Sequence, residues 1–128
     1  MENKIGSIAW TDLTVPNAVE VRDFYAAVIG WSFEGLSMGE YEDFVMVPPG
    51  SADGVAGICH ARGPNVGIPP VWLIYVTVAD LDASLKAVEA GGGTLVSGPR
   101  SVGDDKMAVI RDPAGAHLAL YETGKLPE

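Results

Sequence analysis

Few side chains in this sequence are suited to chemistry. There are 2 histidines, His60 and His117, and 1 cysteine, Cys59. Asp12, late in an early apolar segment, is a candidate general base if burial raises its pKa; otherwise it is a carboxylate accepting backbone donors near a strand end. His117 follows a turn and is either functional or solvated. Asp12 and His117 together could form an acid–base pair, although no spacing in the sequence shows that they meet. Cys59 reads as a small buried hydrophobe in preference to a reactive thiol. Asp104-Asp105 reads as a solvated turn between strands in preference to a loose cation site. Gly91-Gly92-Gly93 follows a helix and does not open one, which makes it a terminator and not a phosphate loop.

Bulk properties narrow the function classes. The 128 residues suffice for one compact domain with a core. A hydrophobic fraction of 48% and a charged fraction of 20% are those of a globular protein. The net charge of −9, with 8 Lys and Arg, disfavours nucleic acid and anionic membrane surfaces, both of which require clustered positive charge. One cysteine excludes an intramolecular disulfide. Neither a secretory leader nor an apolar run of membrane-spanning length is evident, so a cytoplasmic location is expected.

The elements that must position these residues follow from local patterns. Residues 6–15 are rich in β-formers and predict a strand, broken by Pro16 with Asn17 as a helix N-cap. Val21, Phe24, Tyr25, Val28 and Ile29 recur at helical spacing, and Gly30 supplies the stop. Strands follow from Trp31, over 41–47 and over 55–61. Residues 62–70, with Gly63, Pro64, Gly67, Pro69 and Pro70, predict a linker. The order then repeats. A strand over 71–78 precedes a cap at Asp80, a helix facing inward through Leu81, Leu85 and Val88, and the glycine stop. Strands over 94–97, 107–111 and 116–121 complete the unit, the last two joined by Asp112-Pro113-Ala114-Gly115, which has hairpin turn chemistry. An offset of 63 carries Val15 onto Val78, Asn17 onto Asp80 and Gly30 onto Gly93, which predicts internal duplication of a βαβββ-type unit.

Several stretches resemble one family: W-T-D-L-T-V-P-N and D-F-Y-A-A-V-I-G-W near the start, V-T-V-A-D-L-D in the middle, and R-D-P-A-G-A-H-L-A-L-Y-E near the end. Together they cover roughly residues 6–122 and resemble the vicinal oxygen chelate superfamily of glyoxalases, bleomycin resistance proteins and dioxygenases. The resemblance implies an α+β fold in which two βαβββ modules form a curved mixed sheet around a central cavity, within a single domain over 1–128. Module 1 is expected at about 6–62, the linker at 63–70 and module 2 at about 71–122. It also implies a homodimer, and a divalent metal held by His, Gln or Glu from the first and last strand of each module, acting as a Lewis acid or activating dioxygen.

This chain departs from that ligand pattern. The aligned positions are Trp10 and Gly57 in the first module and Leu73 and Ala119 in the second. None offers a donor to a metal. A slip of one residue brings in Ala9 or Thr11, Ala56 or Ile58, Trp72 or Ile74, and Leu118 or Leu120, which does not restore the set.

Strand alternation then predicts which side chains share a face with the vacated positions. These are Asp12 beside Trp10, Cys59 beside Gly57, Tyr75 beside Leu73, and His117 and Tyr121 beside Ala119. The expected ligand-binding lining is therefore Trp10, Asp12, Cys59, Leu73, Tyr75, His117, Ala119 and Tyr121, aromatic walls with a few polar groups. Trp10 is either a stacking platform or a plug. His60 should face away from Cys59, and Trp72 should pack against a helix. The leading expectation is a glyoxalase-like or bleomycin-resistance-like protein that binds a small planar organic molecule in its inter-module cavity, with no metal or other cofactor. The alternatives are a lyase, isomerase or dioxygenase with an unconventional metal or an acid–base site at Asp12 and His117, and a non-catalytic scaffold.

Overall fold

The computed structural model describes residues 4–124, and among these it contains eight strands and two helices. In chain order they are β1 (Ile8–Val15), α1 (Ala18–Ile29), β2 (Ser32–Ser37), β3 (Glu42–Val47), β4 (Ala56–His60), β5 (Trp72–Thr77), α2 (Leu81–Ala90), β6 (Thr94–Val102), β7 (Asp105–Arg111) and β8 (His117–Glu122). The order βαβββ thus occurs twice in an α+β fold. The chain divides into two compact units: a first over Trp10–Trp72, and a second formed by Leu73 onward together with the residues up to Ala9. Among the described residues no helix is long and apolar enough to cross a membrane.

In the first unit the strands run in the order β2-β3-β4-β1. β1 and β4 are parallel, and the other pairs are antiparallel. Side chains alternate along a strand, so Leu13 and Val15 of β1, Phe44 and Met46 of β3, and Ile58 of β4 fall on one face. These five and Ala18 of α1 form a buried core, against which Val21, Tyr25 and Trp31 pack. The predicted apolar stripe of α1 is only partly inward. Phe24, Val28 and Ile29 are 57%, 63% and 46% exposed. Tyr25 fixes the helix's rotation by meeting Trp72 edge to face at 5.3 Å and Trp31 at a tilt at 6.1 Å. Phe24, one residue away, is thereby turned about 100° from the core.

The helix ends behave as their residues dictate. Gly30 takes φ 91° and donates its N–H to Ala26 at 2.9 Å, a conformation costly for any residue with a Cβ. Asn17 occupies the cap position, but its side chain donates to Glu20 Oε1 at 3.0 Å and caps no backbone N–H. Asp80 does cap α2, accepting from Ala83 N at 3.1 Å, while Glu122 Oε1 accepts from Leu81 N at 2.7 Å. Acidic groups at a helix N-terminus satisfy free N–H groups and complement the helix dipole.

In the second unit the order is β5-β8-β7-β6, with β5 and β8 parallel and the rest antiparallel. α2 covers a core of Leu81, Ala108, Ile110 and Leu120, flanked by Val78, Leu85, Val88 and Leu118. The turn at Asp112 closes as its sequence predicts. Asp112 Oδ1 accepts from Ala114 N and Ala116 N at 2.8 and 3.0 Å, and Gly115 takes φ 92°.

Three local readings are corrected. β6 extends to Val102, well past the expected end at Ser97, because β7 pairs with it as far as Val102↔Asp105 and absorbs Gly98-Pro99 as register shifts between Ser97 and Arg100. Asp105 accordingly belongs to a strand and not to a solvated loop. The linker is not wholly irregular, since Gly63–Asn65 form one 3₁₀ turn.

Candidate functional site

Strand register shows where each predicted site residue lies. In the first unit Asp12 pairs with Gly57 and Thr14 with Cys59 across the parallel β1–β4 ladder. Trp10, Asp12, Gly57 and Cys59 therefore point to one face, opposite the face that carries Leu13, Val15 and Ile58. In the second unit Tyr75 pairs with Ala119 and Thr77 with Tyr121 across β5–β8, while Met107, Val109 and Arg111 face Tyr121, Ala119 and His117. Leu73, Tyr75, His117, Ala119 and Tyr121 thus also share a face, opposite Leu118 and Leu120. The Asp12↔Gly57 and Tyr75↔Ala119 pairings are equivalent in the repeat. They place the two aligned last-strand positions at the same point of each ladder.

The first unit has closed the space a metal ligand would need. Trp10 Nε1 donates to Asp12 Oδ1 at 2.6 Å. A Cβ added to Gly57 would collide with that same carboxylate oxygen and would lie 3.4 Å from Trp10 Nε1. In the second unit the aligned positions are Leu73 and Ala119, 1% and 0% exposed, with purely hydrocarbon side chains. Among the described residues no three His, Cys, Asp or Glu side chains come together as a metal cluster. These residues do not fit the divalent metal that the resemblance implies, and no chemical step is derived through one.

The polar groups have other partners. His60 lies on the α1 side, as alternation predicts, with its backbone N donating to Asp43 Oδ1 at 2.8 Å and its ring beside Tyr41 at 5.3 Å. Trp72 packs as expected against α1, donating Nε1–H to Tyr25 Oη at 3.2 Å. Cys59 is half-buried and takes part in no disulfide. Asp12 and His117 belong to different units. A surface groove of about 440 Å³ between α2 and β6, lined by Leu85, Val88 and Leu95 among others, lies on the helix side and contains none of the predicted site residues.

In the second unit the face carries an aromatic pair with a charged partner. The Tyr75 and Tyr121 rings stand 6.3 Å apart at 65°, an edge-to-face arrangement. Tyr121 Oη donates to Asp105 Oδ2 at 2.5 Å, and Asp105 Oδ1 accepts from Gly124 N at 2.8 Å. The Gly124 N–H first, and the Tyr121 hydroxyl second, hold the Asp105 carboxyl below its usual range. Burial first, and then the bond to Asp105 and its charge, push the Tyr121 phenol up to about 12. Tyr121 is consequently a neutral phenol at all physiological pH values.

This predicts a late step in phenolate titration. The Tyr121 phenol should ionise at pH about 12, above the ordinary value of 10.0, and Tyr121→Phe should remove that late component from the phenolate absorbance curve. The raised folded-state pKa means the folded state holds this proton more tightly than the unfolded state. The stabilisation is therefore complete below pH 10 and is lost as pH rises from 10 towards 12. A late component that survives in Tyr121→Phe would contradict the assignment.

Sequence reasoning missed Asp105 and Thr77. Only the Thr77 signal was available from alternation along an expected strand. Thr77 is one pleat beyond Tyr75, and Asp105 is one pleat before Met107. Each lay past the assumed lining or strand end.

Comparison with known proteins agrees with this geometry. Residues 7–120 match the family model of the Glyoxalase/Bleomycin resistance protein/Dioxygenase superfamily. The chain is 34% identical to the anthracycline biosynthesis protein DnrV of Streptomyces peucetius, over 93% of this chain and 48% of that protein. It is 28% identical to a putative glyoxylase of Mycobacterium tuberculosis, over 97% of this chain and 48% of that one. The chain thus spans about half the length of the curated relatives it matches. A methylmalonyl-CoA epimerase of Mycobacterium tuberculosis shares the fold with a TM-score of 0.55 at 17% identity, covering 98% of this chain and 93% of that one. A superfamily member from Vibrio splendidus does so with a TM-score of 0.57 at 14% identity, covering 91% and 99%. At such identities the likeness is one of fold alone. The repeated βαβββ order, the equivalent ladders and the match over nearly the whole chain place this protein in the glyoxalase/bleomycin resistance protein/dioxygenase superfamily.

Proposed function

We propose that this chain binds a small planar organic molecule and does so without a metal. The observation that carries this reading is the replacement of the family's donor positions by Trp10, Gly57, Leu73 and Ala119, with the space before Gly57 taken by Asp12. What the faces offer in place of donors is aromatic and apolar surface, with Tyr75 and Tyr121 set edge to face in the second unit. Such surface recognises flat ligands by burial and stacking, which needs no Lewis acid. The anthracycline biosynthesis relative supports a ligand of the planar, polycyclic aromatic kind.

The test is equilibrium titration of the protein with an anthracycline, followed by quenching of tryptophan fluorescence and by calorimetry. The parent is expected to bind saturably, and Tyr75→Ala to bind roughly tenfold more weakly. Absence of saturable binding by the parent, or undiminished binding by Tyr75→Ala, would contradict the proposal.

A further inference from the structure

The strand order ends on β2 in the first unit and on β6 in the second, and the two ends are built differently. An unpaired strand edge presents N–H and C=O groups on which another chain can build, and proteins blunt such edges with bulges, proline or lysine. β6 is blunted, since its register with β7 shifts between Leu95 and Ser97 and again before Arg100, and it contains Pro99. β2, with the sequence Ser-Phe-Glu-Gly-Leu-Ser, has none of these devices. It pairs with β3 alone, in unbroken register from Ser32↔Val47 to Ser37↔Glu42, and every residue of it is exposed. Two exposed carboxylates flank this edge, one on each face. Glu34 pairs with Val45, so its side chain leaves the face opposite the core under α1. On the α1 side Gly35 has no side chain, and the Glu42 carboxyl fills the space, 2.6–2.9 Å from where a Cβ would stand. Among the described residues neither carboxylate has an ion-pair partner. Arg22, which lies over Phe33 on that side, is tied to Asp23 at 2.8 Å.

We infer that β2 takes up an extended segment of a partner protein as an added strand, and that this segment carries two consecutive basic residues between two aliphatic ones. Adjacent residues of a strand point to opposite faces. The residue opposite Glu34 therefore meets that carboxylate on one face. Its neighbour, opposite Gly35, reaches across the glycine to Glu42 on the other. Phe33 and Leu36, both exposed, offer apolar contacts before and after the basic pair. The pattern reads the same in both directions, so it holds for a parallel or an antiparallel added strand. Main-chain hydrogen bonds supply the affinity and the alternating side chains the specificity. A second copy of β2 is a poor occupant. Paired antiparallel about a two-fold axis over most of its length, it either sets Glu34 opposite itself or brings two Glu42 carboxyls together over Gly35.

The experiment titrates the full chain with three peptides capped at both ends: Ser-Val-Lys-Lys-Val-Ser, its rearrangement Ser-Lys-Val-Val-Lys-Ser, and Ser-Val-Glu-Glu-Val-Ser. Calorimetry reads affinity, and amide hydrogen exchange reads the place of binding. The Lys-Lys peptide is expected to bind about tenfold more tightly than its rearrangement, the value of two cross-strand charge pairs, with the Glu-Glu peptide weakest. Exchange at the outward-facing amides of β2 should slow when it binds. The double variant Glu34→Lys, Glu42→Lys changes only exposed side chains and should reverse the preference, favouring the Glu-Glu peptide. Absence of binding by the Lys-Lys peptide, or equal binding of it and its rearrangement, would overturn the inference. Binding that leaves β2 exchange unchanged would place the peptide elsewhere and overturn it too. So would β2 amides already protected in the concentrated free chain and released on dilution, which would give the edge to a second copy.

Discussion

Gly57→Gln, which restores a potential donor at the position where the family holds its metal, is expected to destabilise the first unit by about 3 kcal/mol. Two effects add. Any Cβ at this point of β4 collides with Asp12 Oδ1, so the carboxylate must swing away. Forcing extra atoms into a packed place costs about 1–3 kcal/mol. The displaced carboxylate also leaves the part-buried Trp10 indole N–H, now held at 2.6 Å, without its acceptor, which costs about 1 kcal/mol more. Combining Gly57→Gln with Asp12→Gly should recover part of the loss, because the two positions share one space and their effects are not additive. Urea denaturation midpoints read both. A single variant as stable as the parent would mean that the Asp12 carboxylate is not fixed before Gly57.

Leu81→Ala is expected to cost about 3 kcal/mol, within the range of about 2–5 kcal/mol for a buried leucine. Leu81 is 0% exposed, opens α2 and packs with Ala108, Ile110 and Leu120. Its repeat counterpart, offset by 63, is Ala18, also 0% exposed and also the first residue of its helix. There α1 sits against Phe44, Met46 and Ile58, whose larger side chains fill the volume that Leu81 fills in the other unit. Ala18→Leu should therefore destabilise by about 1–3 kcal/mol through overpacking. One repeat position thus tolerates only a large residue in one copy and only a small one in the other. Thermal unfolding of the two variants checks the pair. Tolerance of Ala18→Leu would show that the helix can retreat from its sheet.

What was legible in the sequence is mostly what is local. Gly30, Asp80 and the Asp112-to-Gly115 turn act within a few residues of themselves, so residue type alone placed them. The duplication was legible because it repeats such local signals at a constant offset. The length of β6 was not, because Gly98-Pro99 has the chemistry of a strand end, and only long-range pairing to β7 carries the strand through it. The buried face of α1 was not legible for the same reason. Phe24 and Val28 fit the helical period as well as Tyr25 does, and ring contacts with Trp31 and Trp72 decide between them. Asp105 could not be paired with Tyr121 from sequence, since their contact spans 16 residues and depends on the β7–β8 register.

The most direct test of a superfamily chain that binds without a metal is the affinity for one planar aromatic probe before and after removal of divalent metal. Protein treated with chelator and dialysed should bind an anthracycline with the same Kd as protein supplied with zinc, nickel or manganese, and elemental analysis of the active sample should show no stoichiometric transition metal. Binding that is lost on chelation and restored by one of these ions would contradict the account.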